Sequence, residues 1–516
     1  MRFHWRKLFT SKVETAALWD RWDFVALGLT LFTVAWVFAL KLKTFYDLGY
    51  SGDLFISVQA ARSWLDGKGI LQDNCFGNIL AIHTYFMLVP LGLIAKPLGA
   101  PGLLFVLAAS VGATYFFAIR ILRLLGVAGP IALIAAGAML LCPLSIFFYQ
   151  EAGWGFQVEL LAPALCLALF YFLLQQRMLL SIATTLAVIS VKEDAPIAAA
   201  MVAMVAGVET WMASPGKCVR DRFNWPAAIA LLLSVSAIPF LLAISWSQSP
   251  IAYAGHPVDR LSGHSIDRLG VVAPGSLSGP GALFTFVASN IGDWLGSGTV
   301  RQWLWVMIVG SFGTILLRPY YLALGLPTTV IAWLMDRNDL LVARRFFTAQ
   351  ALLWCITLVG FASIVRFVLC CGKRMRSTIV ATAIGTAALA AFAQLLLVPW
   401  FARGAYLLRS TSLYSSSERQ QADAVFARYL REGKPGEPVI ASAMLFRYAH
   451  NRNLFWLDRL YGRPAPIWIL GDSADPYAPF RISAEKISAE SGIRLNDYVL
   501  IDRRGRFTLL RKRSKR

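Results

Sequence analysis

Apolar runs of roughly 17 to 25 residues recur from about residue 24 to residue 400, each long enough to cross a hydrocarbon core as a helix. That repetition leaves few folds open. In lipid every backbone N–H and C=O must be satisfied within the chain, so a long apolar run becomes a helix and several become a bundle. Composition agrees: 57% of the 516 residues are hydrophobic, 15% are charged, and the mean hydropathy is +0.59. A soluble domain carries about 25% charged residues. The chain reads as an all-α polytopic membrane protein with about eleven crossings, followed by a small C-terminal α/β domain.

A net charge of +20 would suggest nucleic acid in a soluble chain. Here Lys and Arg sit mostly in short loops and in the tail, where topology and anionic headgroups place them, and no nucleic-acid motif accompanies them. Membrane lipids are the expected partners; nucleic acid is not. The seven cysteines form no CxxC pair or Cys/His cluster, which argues against a disulfide framework or a zinc site. Arg2, Arg6, Lys7 and Lys12 precede the first apolar run, Lys41 and Lys43 follow it, and no small-residue cleavage site intervenes. This predicts an uncleaved anchor with residues 1–22 in the cytoplasm.

The membrane domain is expected over 23–400 and an extracytoplasmic domain over 401–516. The first crossing, about 23–41, opens into a polar outer loop, 42–84. The apolar segment 79–98 is interrupted by His83, Pro90 and Pro97. If it returns to the face it came from, the next run (101–119) delivers Arg120 and Arg123 to the cytoplasm, so a non-crossing reading is favoured. Crossings follow near 128–148, 158–175, 178–191, 195–212, 226–246, 302–317, 320–335, 348–369 and 377–399, with 281–300 interfacial. In the tail, a helix is expected over 422–430, strands over 438–442, 468–470, 498–502 and 507–510, and a solvated basic end over 511–516.

Four polar clusters then fall on the outer face: the first loop, 150–157, 192–194 and 256–268. Ionisable groups at membrane depth are costly and face a cavity or one another, so this placement implies one wet chamber. Asp47 and Asp53 follow the first run, beside Gly49 and Gly52. Either could act as general base on an acceptor hydroxyl or bind a divalent cation. Equally, Asp53 could cap an amphipathic helix over 53–65 on the membrane surface, and Asp47 could serve a turn. Lys192 suits a phosphate and Glu193 a cavity wall, while Asp194, followed by Pro196, also reads as a helix start. His83 is either a ligand-contacting group or a satisfied polar residue on an apolar helix. Glu151 and Glu159 flank Trp154 and Phe156, which form either a sugar- or lipid-contacting wall or an interfacial belt. Arg344, beside Arg345, would hold a phosphate or anchor the chain at the headgroups.

The run Tyr46-Asp-Leu-Gly-Tyr-Ser-Gly-Asp-Leu-Phe55, then His83-Thr-Tyr-Phe86, the aromatic loop and Lys192-Glu-Asp-Ala195 carry a resemblance in order and spacing. Over about residues 44 to 470 the chain resembles a family of predicted bacterial membrane proteins, number two thousand and seventy-nine among the domains of unknown function. Asp53-Leu54 stands where that pattern has Asp-Gln, and Trp154-Gly-Phe156 where it has Phe-His-Pro. The family in turn looks like the GT-C glycosyltransferases, which take sugars from polyprenyl-phosphate donors at the outer membrane face. The resemblance implies a multi-pass protein of the bacterial inner membrane that moves a sugar from such a donor to a lipid or cell-envelope acceptor. It implies Asp47, then Asp53, as the catalytic base. His83, Glu151, Lys192, Glu193, Asp194 and Arg344 are the expected substrate contacts. No resident cofactor is expected, a divalent cation being the one such group the carboxylates would admit. Two other classes fit the composition: a transporter or lipid flippase, which needs ionisable groups at mid-bilayer, and a non-catalytic envelope-assembly protein.

Overall fold

The computed structural model describes residues 20–50, 52–74, 77–81, 83–140, 155–213, 223–252, 357–365, 414–434, 436–450, 453–455, 465–474 and 494–513, with isolated positions between 292 and 355. Helix α1 (Arg21–Tyr46) starts in a capping box. The Asp20 carboxylate accepts from the backbone N–H groups of Trp22 and Asp23, and that of Asp23 accepts from Asp20 N–H. Its 26 residues reach about 39 Å, more than a hydrocarbon core requires. The first crossing thus runs past its expected end at 41, and Asp47 is its C-cap.

Helix α2 (Asp53–Arg62) begins from Gly52, whose φ of 58° is open to glycine and strained for other residues. Asp53 is therefore the first residue inside the helix, not its cap. The apolar face of α2 meets protein, with seven of its ten residues buried, and it ends at Arg62 rather than 65. A short hairpin, β1 (Gln72–Asp73) with β2 (Gly77–Asn78), follows.

Helix α3 (Leu88–Leu124) is two arms joined at Gly99 (φ 60°, ψ −139°). A Cβ on Gly102 would lie 2.9 Å from Ile94 Cγ2 and from Leu98 Cβ. In a straight helix residues 94 and 102 would stand about 12 Å apart along the axis, so the chain folds back at Gly99. The first arm is about 16 Å long, too short to cross, in keeping with the non-crossing reading of 79–98. The second arm packs on α1 with backbones close together, since a Cβ on Gly112 would meet Val34 Cγ2 and lie 3.3 Å from Thr30 O.

Helices α4 (Gly129–Leu140), α5 (Ala162–Leu174), α6 (Met178–Ile189), α7 (Ala195–Ala213) and α8 (Trp225–Ala252) follow close to the expected runs. Three of the described helices, α1, α3 and α7, are long and apolar enough to cross a membrane. Phe32, Ile134, Leu179, Leu232 and Phe240 project outward with 64–82% of their surface exposed, an apolar exterior suited to lipid tails. Residues 357–365 are helical within the expected crossing 348–369. The other expected crossings beyond 252, the 256–268 cluster and Arg344 lie outside the described residues.

Tertiary bonds sort the helix ends into two groups. At one, the far end, the start of α1 meets the end of α3: Arg123 donates to both carboxylate oxygens of Asp20 at 3.0 and 2.6 Å, and Arg120 pairs with Asp23 at 2.5 Å. Arg120 also donates to Tyr171 Oη near the end of α5, and Asn224 before α8 donates to Leu173 O and to Thr210 Oγ1 of α7. The other, near end gathers 46–53, 83–87, 155–159 and 190–194. Among the described helices α1 to α8 the ends alternate as expected from charge.

The tail carries helix α9 (Ser416–Glu432), capped by Ser415 and Glu418, and strands β3 (Pro438–Ala441), β4 (Asn453–Phe455), β5 (Trp468–Asp472), β6 (Tyr498–Arg504) and β7 (Phe507–Lys512). The sheet order is β4-β3-β5-β7-β6, with β3 parallel to β4 and β5, and β7 antiparallel to β5 and β6. Ala422, Val425, Phe426 and Tyr429 form the buried stripe of α9 at helical spacing. Strand β4 is the element the sequence pattern did not suggest; three residues carry too little alternation. Arg511 does not belong to a solvated end: it lies in β7, over the Trp468 ring at 4.8 Å and paired with Glu432. The tail docks on the near end. Asn74 Nδ2 donates to Asn453 Oδ1 at 2.8 Å, Gln59 Nε2 donates to Leu454 O at 2.9 Å, and Phe55 packs edge-on against Phe446.

Candidate active site at the near end

Backbone stitching assembles this end. Met87 N–H donates to Ser190 O at 2.7 Å, tying the entry of α3 to the turn after α6. Ser110 Oγ of α3 donates to Leu160 O at 3.1 Å, in the 3-10 turn Val158–Leu161 that leads into α5. Gly155 (φ 84°) lets the preceding loop lie on α2; a Cβ there would sit 2.7 Å from that of Leu54.

Side chains from distant parts of the chain then meet. Gln157 Nε2 donates to Asp53 Oδ2 at 2.9 Å. His83 Nδ1 lies 2.9 Å from Glu193 Oε1, whose other oxygen accepts from Thr84 N–H at 3.1 Å. Tyr85 Oη donates to Glu159 Oε1 at 2.6 Å, and Lys192 Nζ, itself buried, donates to the same oxygen at 3.0 Å. Two shielded carboxylate oxygens, Glu159 Oε2 and Asp194 Oδ1, have no hydrogen-bond partner among the described residues.

These contacts set the protonation states. Burial alone would raise the Glu193 carboxyl, but the His83 bond and the charges of His83 and Lys192 hold it down at about 2. Burial disfavours the Lys192 ammonium, yet Glu159, Asp194 and Glu193 together hold it well above the usual lysine range. Burial lifts Asp194 to about 7; Lys192 opposes this, while Glu193 and Glu159 add to it. Tyr85 is pushed well up by burial and by the charges of Glu159, Glu193 and Asp53, so its phenol stays a donor. The Asp53 charge thus acts on the same group as the glutamates.

Of the expected residues, His83, Lys192, Glu193 and Asp194 come together, with Asp53 joined through Gln157 and through its charge on Tyr85. Asp47 sits apart from these bonds. It accepts from Lys43 Nζ at 2.6 Å and pairs with Arg419 of α9 at 3.5 Å, on the seam with the tail. Glu151 and Trp154 lie outside the described residues. His83 is in a loop, so the alternative that placed it on a helix is set aside. Tyr85 and Thr84 had no role from sequence, although they lie inside the His83-Thr-Tyr-Phe86 motif; Glu159 was seen only as a flank of the aromatic loop. No group of three or more His, Cys, Asp or Glu that could hold a metal ion occurs among the described residues. The arrangement sets a partly exposed Asp53 carboxylate and a carboxylate-held imidazole beside a buried, fixed ammonium.

No protein-family model matches the chain, and no curated protein matches it. Solved structures similar to the chain include ArnT from Cupriavidus metallidurans bound to undecaprenyl phosphate, with a TM-score of 0.42 and 12% identity over 95% of this chain and 97% of that one, and the same protein in the apo state, with a TM-score of 0.38 and 11% identity over 94% and 98%. At these scores the likeness transfers no residue role and no substrate. The chain itself is a largely helical protein with three described helices long and apolar enough to cross a membrane, a charged near-end cluster and a small C-terminal sheet domain docked on that end.

Proposed function

We propose that the protein is a GT-C-type glycosyltransferase of the bacterial inner membrane, moving a sugar from a polyprenyl-phosphate donor to a lipid or cell-envelope acceptor at the outer face. The observation that carries this reading is the meeting of Asp53, His83, Glu159, Lys192, Glu193 and Asp194 at one end of an apolar bundle, from four separate segments. The motif resemblance supports it as well. Glycosyl transfer of this kind needs a base for the acceptor hydroxyl and positive charge near the departing phosphate. Asp53 is the preferred base, because its carboxylate adjoins the shielded cluster; Asp47 takes second place, because it is engaged by Lys43 and Arg419. His83, with Nδ1 turned to Glu193, presents Nε2 to the phosphate, and the Lys192 charge lies behind it.

The test is transfer from a synthetic short-chain polyprenyl-phosphate sugar in vesicles containing the purified chain. Asp53→Asn should lower the rate by about 10²- to 10⁴-fold, the span of general-base catalysis. Wild-type rates in both Asp53→Asn and Asp47→Asn would remove the assigned chemistry. Passage of the lipid across the bilayer with no covalent product would favour the flippase reading instead.

A further inference from the structure

The near-end cluster shares its donors unevenly among its carboxylates. Glu193 takes His83 and Thr84, and Glu159 takes Tyr85 and Lys192. Asp194 is left with a shielded Oδ1 that no described donor reaches. A carboxylate oxygen removed from water without a donor is costly when ionised, and the cost disappears when the group carries a proton. The charged and titratable groups acting around it are Lys192 and Glu193 on its own turn, Glu159 from the 158–161 turn, His83 and Tyr85 from the entry to α3, and Asp53 from α2. Glu159, Glu193 and Asp53 are acids, so an arriving phosphate adds a further negative charge to a surplus.

We propose that Asp194 holds the phosphate of the lipid-linked sugar in its protonated form, its O–H donating to a phosphate oxygen, so that phosphate binding draws one proton from solution. This rests on the reading above and deepens it, because it assigns the site a proton-coupled preference for an anionic lipid. The lift of Asp194 to about 7 by burial and by its acidic neighbours places the coupling within an accessible pH range. The sign follows: as pH rises past that point an empty site loses the proton, and binding weakens by about tenfold per pH unit.

Isothermal titration calorimetry of the full chain in detergent tests this, with a short-chain polyprenyl methyl phosphodiester as the probe. The diester keeps one charge throughout, whereas a monoester would itself titrate near pH 6. Measurements in two buffers of different ionisation enthalpy count the protons taken up. Close to one proton per diester at about pH 8 in the wild type, with uptake and pH dependence lost in Asp194→Asn, is the expected result. The wild-type proton count needs no variant, so it stands even if Asp194→Asn folds poorly. Binding by the wild type without proton uptake overturns the proposal, as does undiminished uptake in Asp194→Asn. No binding of the diester at any pH overturns the phosphate reading itself, and this inference with it.

Discussion

At the far end of the bundle, Asp20 and Asp23 face Arg123 and Arg120, and each acid has a guanidinium of its own. At the near end, among the described residues, the acids Asp53, Glu159, Glu193 and Asp194 outnumber the basic groups paired with them, Lys192 and His83. Both clusters join segments far apart in sequence, and both lie at the rim of an apolar bundle. The balanced one sets a guanidinium against each acid. It fixes α1, α3 and α5 to one another, and its worth is in geometry. The unbalanced one stores electrostatic cost in a shielded place, which is where reactive or ligand-linked groups are found. The residue types are alike; what separates a lock from a site is whether the charges close.

If that contrast is right, the largest effect on stability comes from breaking the lock. Arg120→Met leaves buried Asp23 with only Arg123, at 3.9 Å, and should cost about 3–5 kcal/mol, read as a fall in the unfolding midpoint in detergent, while transfer per folded molecule stays near wild type. A large loss of transfer with no loss of stability would erase the distinction between the ends. Within the site, Lys192→Met alone should cost about 3 kcal/mol by stranding Glu159. The double change Lys192→Met with Glu159→Gln should recover about 1–2 kcal/mol of that in a double-mutant cycle. Strict additivity would mean the two are not coupled as their 3.0 Å contact implies.

A smaller and pH-dependent pair of effects follows from neighbouring acids of opposite shift. Glu193 is held at about 2 against an ordinary 4.5, so its contribution is present above about 4.5 and is lost as pH falls toward 2. Asp194 is lifted from 3.8 to about 7, so its contribution is complete below 3.8 and is lost as pH rises through 7. Melting curves should therefore show Asp194→Asn gaining on the wild type between acid and mildly alkaline pH, and Glu193→Gln losing ground as pH rises from acid to neutral. Parallel curves would contradict the assignment. The smallest effect is at the seam: Asn74→Ala removes two hydrogen bonds to the tail domain, to Asn453 Oδ1 and Leu454 O, about 1 kcal/mol each, and should show as faster proteolysis around 453–455 with little change in global melting.

Much of the helical layout was legible beforehand. The runs near 158–175, 178–191, 195–212 and 226–246 reappear as α5 to α8 because length and apolarity are local properties that a bilayer reads directly. The fold-back at Gly99 was partly legible, through Pro97 and the destination of Arg120. The character of α2 was not: its apolar positions fit a lipid surface as well as a protein one, and only the docked tail and α3 decide between them. The same holds for Asp53, where a spacing that suited a cap turned out to place the residue one position inside the helix.

The sequence by itself determined that this chain is a stack of apolar helices with a small sheet at its end, and that its few charges would be gathered rather than scattered. Tertiary structure alone decided which charge meets which: His83 with Glu193, Lys192 with Glu159, Asp47 with Arg419 rather than with the cluster, and Asp194 with no donor to Oδ1 among the described residues. The physical reason is range. Burial of an apolar run depends on its neighbours within a few turns, whereas a carboxylate's partner lies tens to hundreds of residues away, and a local pattern holds no record of it.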